Sequence, residues 1–209
     1  MKNIAIFISG RGSNLESILR KHKEGYFNCN ISFVLSNKPD ARGLSIANNY
    51  GIKTFILERK NFESKEKFEE EILNKLNEQN IDLIVLAGFM MILSKNFVNS
   101  FGKDIINIHP SLLPAFPGVN SQKRALDYGV KFSGCTVHFV TEEVDGGPII
   151  LQEVVPCFDD DSEESLTERI LEREHFILPF AIKLITEDRI IRVGRRVFVK
   201  NDKNWKSPC

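Results

Sequence analysis

The sequence has few cysteines and no excess of charge of either sign, and each shortage excludes a class of protein. Its four cysteines, Cys29, Cys135, Cys157 and Cys209, show neither Cys-x-x-Cys pairs nor metal-finger spacing. We therefore expect reduced thiols in a cytoplasmic protein. The 28 basic and 28 acidic side chains cancel, so no net field attracts nucleic acid or an anionic membrane.

A long hydrophobic run is also missing. The longest, from Leu83 to Leu93, is too short to cross a bilayer as a helix. The first ten residues contain too short an apolar run for a signal peptide and no small-residue cleavage site. With 209 residues and no visible linker, we expect a single domain over residues 1–209 with a loose polar tail at about 201–209.

The hydrophobic pattern alternates between strand and helix signals along the first half of the chain. Buried strands are predicted at 4–8, 31–35, 54–57, 81–87 and around Asn107, and helices at 14–21, from the turn at 38–40 to Gly51, and at 64–79. This rhythm predicts an α/β fold with a doubly wound, mostly parallel, Rossmann-like sheet and helices on both faces.

The rhythm changes after Pro114. Alternating segments at 134–140 and 149–155 predict an antiparallel strand pair joined by a long, glycine-containing connection. A helix at 121–128, a long helix from about Ser162 to 185, and a closing hairpin at 190–193 and 197–200 complete the prediction.

Two polar side chains mark the end of the fifth strand. Three isoleucines between positions 105 and 108 indicate a buried strand, and Pro110 ends it because proline cannot donate to a ladder. Asn107 and His109 are two residues apart, so both leave the same face of an extended strand. Open α/β sheets bind ligands at the carboxyl ends of their strands, so we interpret this pair as functional rather than as anchors of the next loop.

A second candidate site is the segment Ser9-Gly-Arg-Gly-Ser-Asn14, which follows the first strand and begins a helix. Backbone N–H groups and the helix dipole suit an anion there. Leu15 stands where a dinucleotide fingerprint has its third glycine, and the second strand ends in Ser36-Asn37, with no carboxylate for a ribose. The loop therefore suits one phosphate better than a pyrophosphate, and a plain tight turn is the alternative.

Asp145 lies in a turn between the two later strands, where a structural aspartate is by itself the commoner interpretation. The functional interpretation of Asp145 rests on the combination of an amide, an imidazole and a carboxylate at one end of a sheet. His138 fits a buried core residue equally well, and His22 is interpreted as structural. The run from Gly88 to Leu93 fits either ordinary core or the wall of a pocket for a flat ring.

Several segments together resemble the phosphoribosylglycinamide formyltransferases, folate-dependent enzymes of purine synthesis. They run in that family's order from about position 3 to 185. The motifs that carry the resemblance are Ser9-Gly-x-Gly-Ser-Asn14, Leu86-Ala-Gly-Phe-Met90, Ile92-Leu93, Asn107-Ile-His-Pro-Ser-Leu-Leu-Pro114, Thr136-Val-His-Phe-Val140 and Asp145-Gly-Gly-Pro148.

The resemblance implies transfer of the formyl group of 10-formyltetrahydrofolate to the amine of 5′-phosphoribosylglycinamide. By resemblance, Asn107, His109 and Asp145 are catalytic. No metal is implied, and the expected partners are small molecules bound by a monomer or homodimer. The implied substrate-binding residues are Gly12, Ser13 and Asn14 at the phosphate and Glu174 at the glycinamide end. The implied folate-binding residues are Lys65, Met90, Met91, Ile92, Leu93, Asn107, Val140, Glu142 and Asp145.

Two residues depart from the family pattern. Met91 stands where the family usually has arginine, so one polar contact is missing or is supplied elsewhere, for example by Arg11 or Arg42. Lys65 also replaces a usual arginine, which keeps the charge but loses the planar fork of the guanidinium.

The reaction predicts a role for each catalytic residue. Attack of the amine on the formyl carbon gives a tetrahedral oxyanion, to which Asn107 donates an N–H. His109, held protonated by Asp145, acts as general acid and is expected to have a pKa above about 6.5. Asp145 then takes the amine proton.

Three alternatives stay open. A methionyl-tRNA formyltransferase shares the catalytic block but normally carries a further C-terminal domain. A formyltetrahydrofolate hydrolase normally carries an extra N-terminal domain. A non-catalytic nucleotide-binding module predicts tight NAD or ATP binding, and the missing third glycine and acidic residue argue against it.

Overall fold

A computed structural model describes residues 1–200 and shows a central sheet of seven strands beside a separate sheet of two. The central strands are β1 (Asn3–Ile8), β2 (Asn30–Ser36), β3 (Thr54–Ile56), β4 (Leu83–Leu86), β5 (Asp104–His109), β6 (Phe132–Phe139) and β7 (Ile149–Pro156). The small sheet pairs β8 (Ile190–Val193) with β9 (Arg196–Val199), as the predicted closing hairpin. The predicted loose tail at 201–209 lies outside the described residues.

Six α-helices connect the strands of the described chain. They are α1 (Ser13–Lys23), α2 (Arg42–Asn49), α3 (Lys65–Glu78), α4 (Lys95–Phe101), α5 (Ser121–Tyr128) and α6 (Glu163–Thr186), with a 3₁₀ turn at Arg59–Asn61. Within residues 1–200, none of these helices combines the length and the apolar character needed to span a membrane.

The sequence prediction missed α4. Ser94 caps its start by accepting the N–H of Phe97, and Gly102 ends it in a left-handed conformation at φ 62°. Both signals are present in the sequence. A helix of seven residues is too short to show a clear helical period, however, so the sequence pattern does not distinguish α4 from the preceding loop.

The central sheet has the order β3-β2-β1-β4-β5-β6-β7. Strands β1 to β5 pair in parallel, whereas β6 is antiparallel to β5 and β7 is antiparallel to β6. The predicted mostly parallel sheet with an antiparallel C-terminal pair is thus confirmed. The strand order reverses between β1 and β4, so the loops leaving their carboxyl ends separate there and open a crevice.

The core lies on both faces of the sheet. Along β1, Ile4, Ile6 and Ile8 pack into the cluster beneath α1, α2 and α6, whereas Ala5 and Phe7 pack into the cluster beneath α3 and α4. Alternate residues of a strand lie on opposite faces of the sheet. Because both faces are buried, successive residues of β1 are all apolar. The predicted helices on both faces are confirmed.

The segment from Ser9 to Asn14, named here the glycine loop, packs backbone against backbone on the start of α2. Gly12 has φ 80°, and a Cβ placed on it would lie 2.6 Å from the Cα of Gly43. The N–H of Gly43 donates to the carbonyl of Gly10 at 3.2 Å. The absence of side chains at both positions therefore allows α2 to support the loop directly.

Replacing Gly12 by alanine should lower the free energy of unfolding by about 1–3 kcal/mol, since the added Cβ collides with backbone at a left-handed position. Gly10→Ala is the matched control, because a Cβ there meets no other atom within 4 Å. We expect that change to stay within about 0.5 kcal/mol of the parent protein. Urea denaturation measures both, and equal losses would contradict the close approach.

Candidate active site

Strand pairing brings four polar side chains to the end of β5. In the antiparallel register, Asn107 lies opposite His138 and His109 lies opposite Thr136. The side-chain amide nitrogen of Asn107 is 3.2 Å from Nε2 of His138. Asn107 and His109 therefore occupy the carboxyl end of the strand, on the face where the sequence analysis expects them.

Asp145 reaches this group from the connection between β6 and β7. Its Oδ2 lies 3.3 Å from Nδ1 of His109 and accepts the N–H of Gly118 at 2.8 Å. Its Oδ1 lies 3.6 Å from Nε2 of His138, beyond hydrogen-bond distance. The three predicted catalytic residues thus meet in one network, although 36 or more positions separate Asp145 from the other two.

Both ring nitrogens of His109 face acceptors. Nε2 lies 3.0 Å from the carbonyl oxygen of Phe116, and Nδ1 faces the Asp145 carboxylate. A neutral imidazole carries one N–H, so only a protonated ring donates to both acceptors. Phe116 and Asp145 both have left-handed backbone, at φ 51° and 52°, a conformation that costs a residue other than glycine some strain.

The expected rise in the pKa of His109 is wrong. Burial lowers the pKa of His109 below its ordinary value, and its contacts with the Phe116 carbonyl and Asp145 only partly offset that effect. Burial also opposes ionisation of Asp145, but contacts with His138, the Gly118 N–H and His109 hold the pKa of that carboxyl below its ordinary value. The pair at rest is therefore a carboxylate beside an imidazole that is hard to protonate.

His138, which the sequence left undecided, belongs to the site. Its Nδ1 lies 2.9 Å from the carbonyl oxygen of Phe139, which can only accept, so Nδ1 carries the proton. In the neutral ring, Nε2 is then the acceptor for one N–H of Asn107, which fixes the orientation of that amide. The signal for this role is the pairing of β5 with β6, which strand periodicity alone does not provide.

A cavity of about 370 Å³ lies at the crevice between β1 and β4. The glycine loop, Gly88, Met90 and Glu174 contribute to its lining. The amide nitrogen of Asn14 donates to the buried Glu174 carboxylate at 2.7 Å. Burial raises the pKa of Glu174 to about 7, although the bond from Asn14 and the charge of Arg11 act in the opposite direction.

The run from Met90 to Leu93 presents alternate side chains to solvent and to the core. Met90 and Ile92 are 76% and 64% exposed. Met91 and Leu93 instead pack against the cluster beneath α3 and α4. Met91, at the position where an arginine was expected, thus makes an apolar contact, and Met90 and Ile92 are the side chains of this run most exposed to a ligand.

The remaining predicted folate residues lie on either side of α4. Lys65, at the start of α3, lies 3.8 Å from the Glu69 carboxylate. Glu142 pairs with Lys95 of α4 at 2.6 Å. Val140 and Glu142 line an open cleft of about 490 Å³ that α4 shares with the loop after β6.

The described cysteines are thiols buried in the protein, at positions 29, 135 and 157. Burial raises the pKa of Cys29 to about 12, so it remains protonated at neutral pH. Cys209 lies outside the described residues. Across residues 1–200, no group of three or more His, Cys, Asp and Glu side chains is arranged to hold a metal ion.

The chain is similar to known proteins over most of its length. The sequence profile named formyl transferase matches residues 2–182. The phosphoribosylglycinamide formyltransferase of Escherichia coli (strain K12) is 43% identical over 188 residues, which cover 90% of this chain and 89% of that protein. The trifunctional purine biosynthetic protein adenosine-3 of Drosophila melanogaster is 45% identical over 187 residues, which cover 88% of this chain but only 14% of that protein.

The fold is similar as well. The crystal structure of glycinamide ribonucleotide transformylase 1 from Symbiobacterium toebii superposes with a TM-score of 0.93 at 43% identity, covering 95% of this chain and 94% of that chain. The structure from Anaplasma phagocytophilum, a phosphoribosylglycinamide formyltransferase, gives a TM-score of 0.88 at 44% identity, covering 96% and 95%.

Asp145→Asn should lower the pKa of His109 further, because the substitution removes the negative charge that favours the protonated ring. Titration by NMR of the imidazole nitrogens measures both proteins, and His109 of the parent should already titrate below its ordinary value. Asp127→Asn, a change at an exposed carboxylate on α5, is the control and should leave the titration unchanged. A higher or unaltered pKa in Asp145→Asn would contradict the pairing.

Glu174→Gln should change how stability depends on pH. The folded pKa of about 7 lies above the ordinary 4.5, so the native state favours the protonated carboxyl. Its contribution to stability is fully present below pH 4.5 and is lost as pH rises through 7. From pH 4.5 to above 7, the variant should therefore gain about 3 kcal/mol relative to the parent in chemical denaturation.

The control for this prediction is Glu172→Gln, at an exposed carboxylate on the same helix. That protein should follow the pH profile of the parent. Parallel profiles for the parent and Glu174→Gln would show that the carboxyl at 174 is not held in its protonated form.

Proposed function

This chain belongs to the formyl transferase family and is an enzyme, and we propose that Asn107, His109 and Asp145 are its catalytic residues. It transfers the formyl group of 10-formyltetrahydrofolate to the amine of 5′-phosphoribosylglycinamide, a reaction of purine biosynthesis. The observation that carries the residue assignment is the 3.3 Å contact between Asp145 and His109, beside the amide of Asn107 at the end of β5.

The cavity at the crevice takes the amine substrate. The N–H groups of the first turn of α1 have no partners within the helix and point toward the glycine loop, so Gly12, Ser13 and Asn14 hold the phosphate. Glu174 lines the same cavity and receives the glycinamide end. Its ionised form attracts the substrate ammonium, and with a pKa of about 7 both forms are populated near neutral pH.

The folate lies on the other side of the Asn107 group. The exposed side chains of Met90 and Ile92 form one wall, beside the half-buried Met91 and the buried Leu93. Val140 and Glu142 form the opposite wall, in the cleft along α4. Lys65 takes the anionic end of the folate, as a point charge with no bidentate geometry.

Asn107 stabilises the tetrahedral oxyanion. Its amide group has two N–H donors, one of which is held by His138. The second is free to donate to the oxygen of the formyl group as negative charge develops there. A donor fixed in this way contributes roughly 10²–10³ in rate in comparable sites.

His109 and Asp145 move the protons. The neutral imidazole has one N–H for its two acceptors. A negative charge that forms beside the ring favours its protonation. The proton comes from the attacking amine, through Asp145, and His109 passes it to the nitrogen of the departing tetrahydrofolate. To reach the substrate, the ring exchanges its contact with the Phe116 carbonyl for the reacting group. General acid catalysis of this kind contributes roughly 10²–10⁴ in rate.

The partners of this enzyme are its small-molecule substrates. The finer assignments are a single catalytic domain, a monomer or homodimer, a cytoplasmic location, and no nucleic-acid or membrane partner. The balance of 28 basic and 28 acidic side chains supports the last of these.

Formyl release should depend on the amine substrate. We expect purified protein with 10-formyltetrahydrofolate and phosphoribosylglycinamide to yield tetrahydrofolate and the formylated amine in equal amounts, followed by absorbance and mass spectrometry. Without the amine, or with methionyl-tRNA in its place, folate should keep its formyl group. Equal deformylation with and without the amine would instead identify a hydrolase.

Two histidine variants provide the matched control. His109→Ala should lower kcat by roughly 10²–10⁴. His22→Ala removes an imidazole whose contact is the carbonyl of Cys29, away from both clefts, and should leave kcat close to that of the parent. A His109→Ala protein with the turnover of the parent would remove His109 from the mechanism.

A further inference from the structure

The hydroxyl of Ser9 joins the loops that leave β1, β2 and β4. It donates to Oδ1 of Asn37, directly after β2, at 2.6 Å. It accepts the backbone N–H of Met90, beyond β4, at 2.7 Å. The backbone N–H of Ser9 also donates to the carbonyl of Gly88 at 3.0 Å. These bonds span the crevice at which the strand order reverses.

Met90 is the donor in its bond to Ser9, because a backbone N–H can only donate. The hydroxyl proton of Ser9 is therefore available to the side-chain oxygen of Asn37. Asn37 is 7% exposed, and its buried carbonyl oxygen would be costly to leave without this donor. This series of hydrogen bonds, from Met90 through Ser9 to Asn37, therefore ties together the loops that follow β1, β2 and β4.

Two of the linked loops line the cavity assigned above to the amine substrate, and one of them continues into the folate site. Ser9 begins the glycine loop, assigned above to the substrate phosphate. Met90 begins the run assigned above to one wall of the folate site. The Ser9 hydroxyl is thus a direct polar link between the two substrate sites, in addition to the backbone bond to Gly88.

The far end of the folate run has a separate anchor. The buried carboxylate of Glu69 accepts the backbone N–H of Ser94 at 2.8 Å and also the Ser94 hydroxyl. Glu69 belongs to α3, and its carboxylate contacts Ser94 and Lys65, which lie outside the glycine loop. The two ends of the run are therefore fixed independently, one to the phosphate side and one to α3.

We propose that Ser9, supported by Asn37, is a positioning residue that couples the binding of the two substrates. This inference rests on the proposed function. A phosphate that orders the glycine loop also orders Met90, because the Ser9 hydroxyl connects them. The folate then binds to a segment that is already ordered, so its binding costs less conformational entropy. By linkage, bound folate strengthens binding of the amine substrate by the same factor.

The test measures the affinity for tetrahydrofolate, which has no formyl group to transfer, by isothermal titration calorimetry. In the parent protein, saturating phosphoribosylglycinamide should tighten tetrahydrofolate binding by roughly fivefold or more. In Ser9→Ala, each ligand should still bind alone, but the coupling should fall below about twofold. Ser9→Thr keeps the hydroxyl and should restore the coupling.

Glu69→Gln is the matched control at the other end of the run. It should weaken tetrahydrofolate binding by the same factor with and without the amine substrate, so the coupling survives. Should Ser9→Ala fail to fold, Asn37→Ala removes the acceptor of the same hydroxyl and should also reduce the coupling.

The outcomes separate the two hypotheses. Coupling that disappears with the Ser9 hydroxyl and survives in Glu69→Gln supports the inference. A parent protein that binds both ligands without coupling, or a Ser9→Ala protein that retains it, overturns the inference and leaves the proposed function intact. A parent protein that binds neither ligand overturns the proposed function and this inference with it.

Discussion

The register between β5 and β6 is the constraint on which the site depends. It sets Asn107 opposite His138 and His109 opposite Thr136. Because side chains alternate across a strand, a slip of one residue would turn the imidazole and the amide to the other face of the sheet. The connection from β6 to β7 then folds back to bring Asp145 to His109. The pairing of strands and this connection together assemble groups from three parts of the chain.

The contacts around His109 suit a protonated imidazole better than a neutral one. Burial disfavours the protonated ring of His109, yet the carbonyl and the carboxylate beside it are both oriented to receive a proton from it. These contacts are only fully made when the imidazole is charged. Interactions that strengthen as the reaction proceeds are the ones that lower its barrier. The mismatch between burial and contacts at His109 is thus consistent with a catalytic role.

Local patterns in the sequence predict the scaffold because they arise from local physics. Strand alternation, the proline after His109 and the glycines of the loop each act within a few residues, and the sheet follows from them. The bond from Asn14 to Glu174 joins residues 160 positions apart, and the role of His138 needs a pairing that no short window contains. The pKa of His109 was predicted in the wrong direction because a partner is visible in sequence, whereas the extent of burial is not.

The two left-handed residues that face His109 place stability and turnover in opposition. Phe116 supplies a carbonyl and Asp145 a carboxylate from backbone conformations that glycine adopts with less strain. Glycine would relieve that strain at either position. At Phe116 it would also remove the ring that lies against Tyr128 and Arg124, and at Asp145 it would remove the carboxylate. The strain at both positions therefore accompanies the contacts made with His109, and added stability has to come from other parts of the fold.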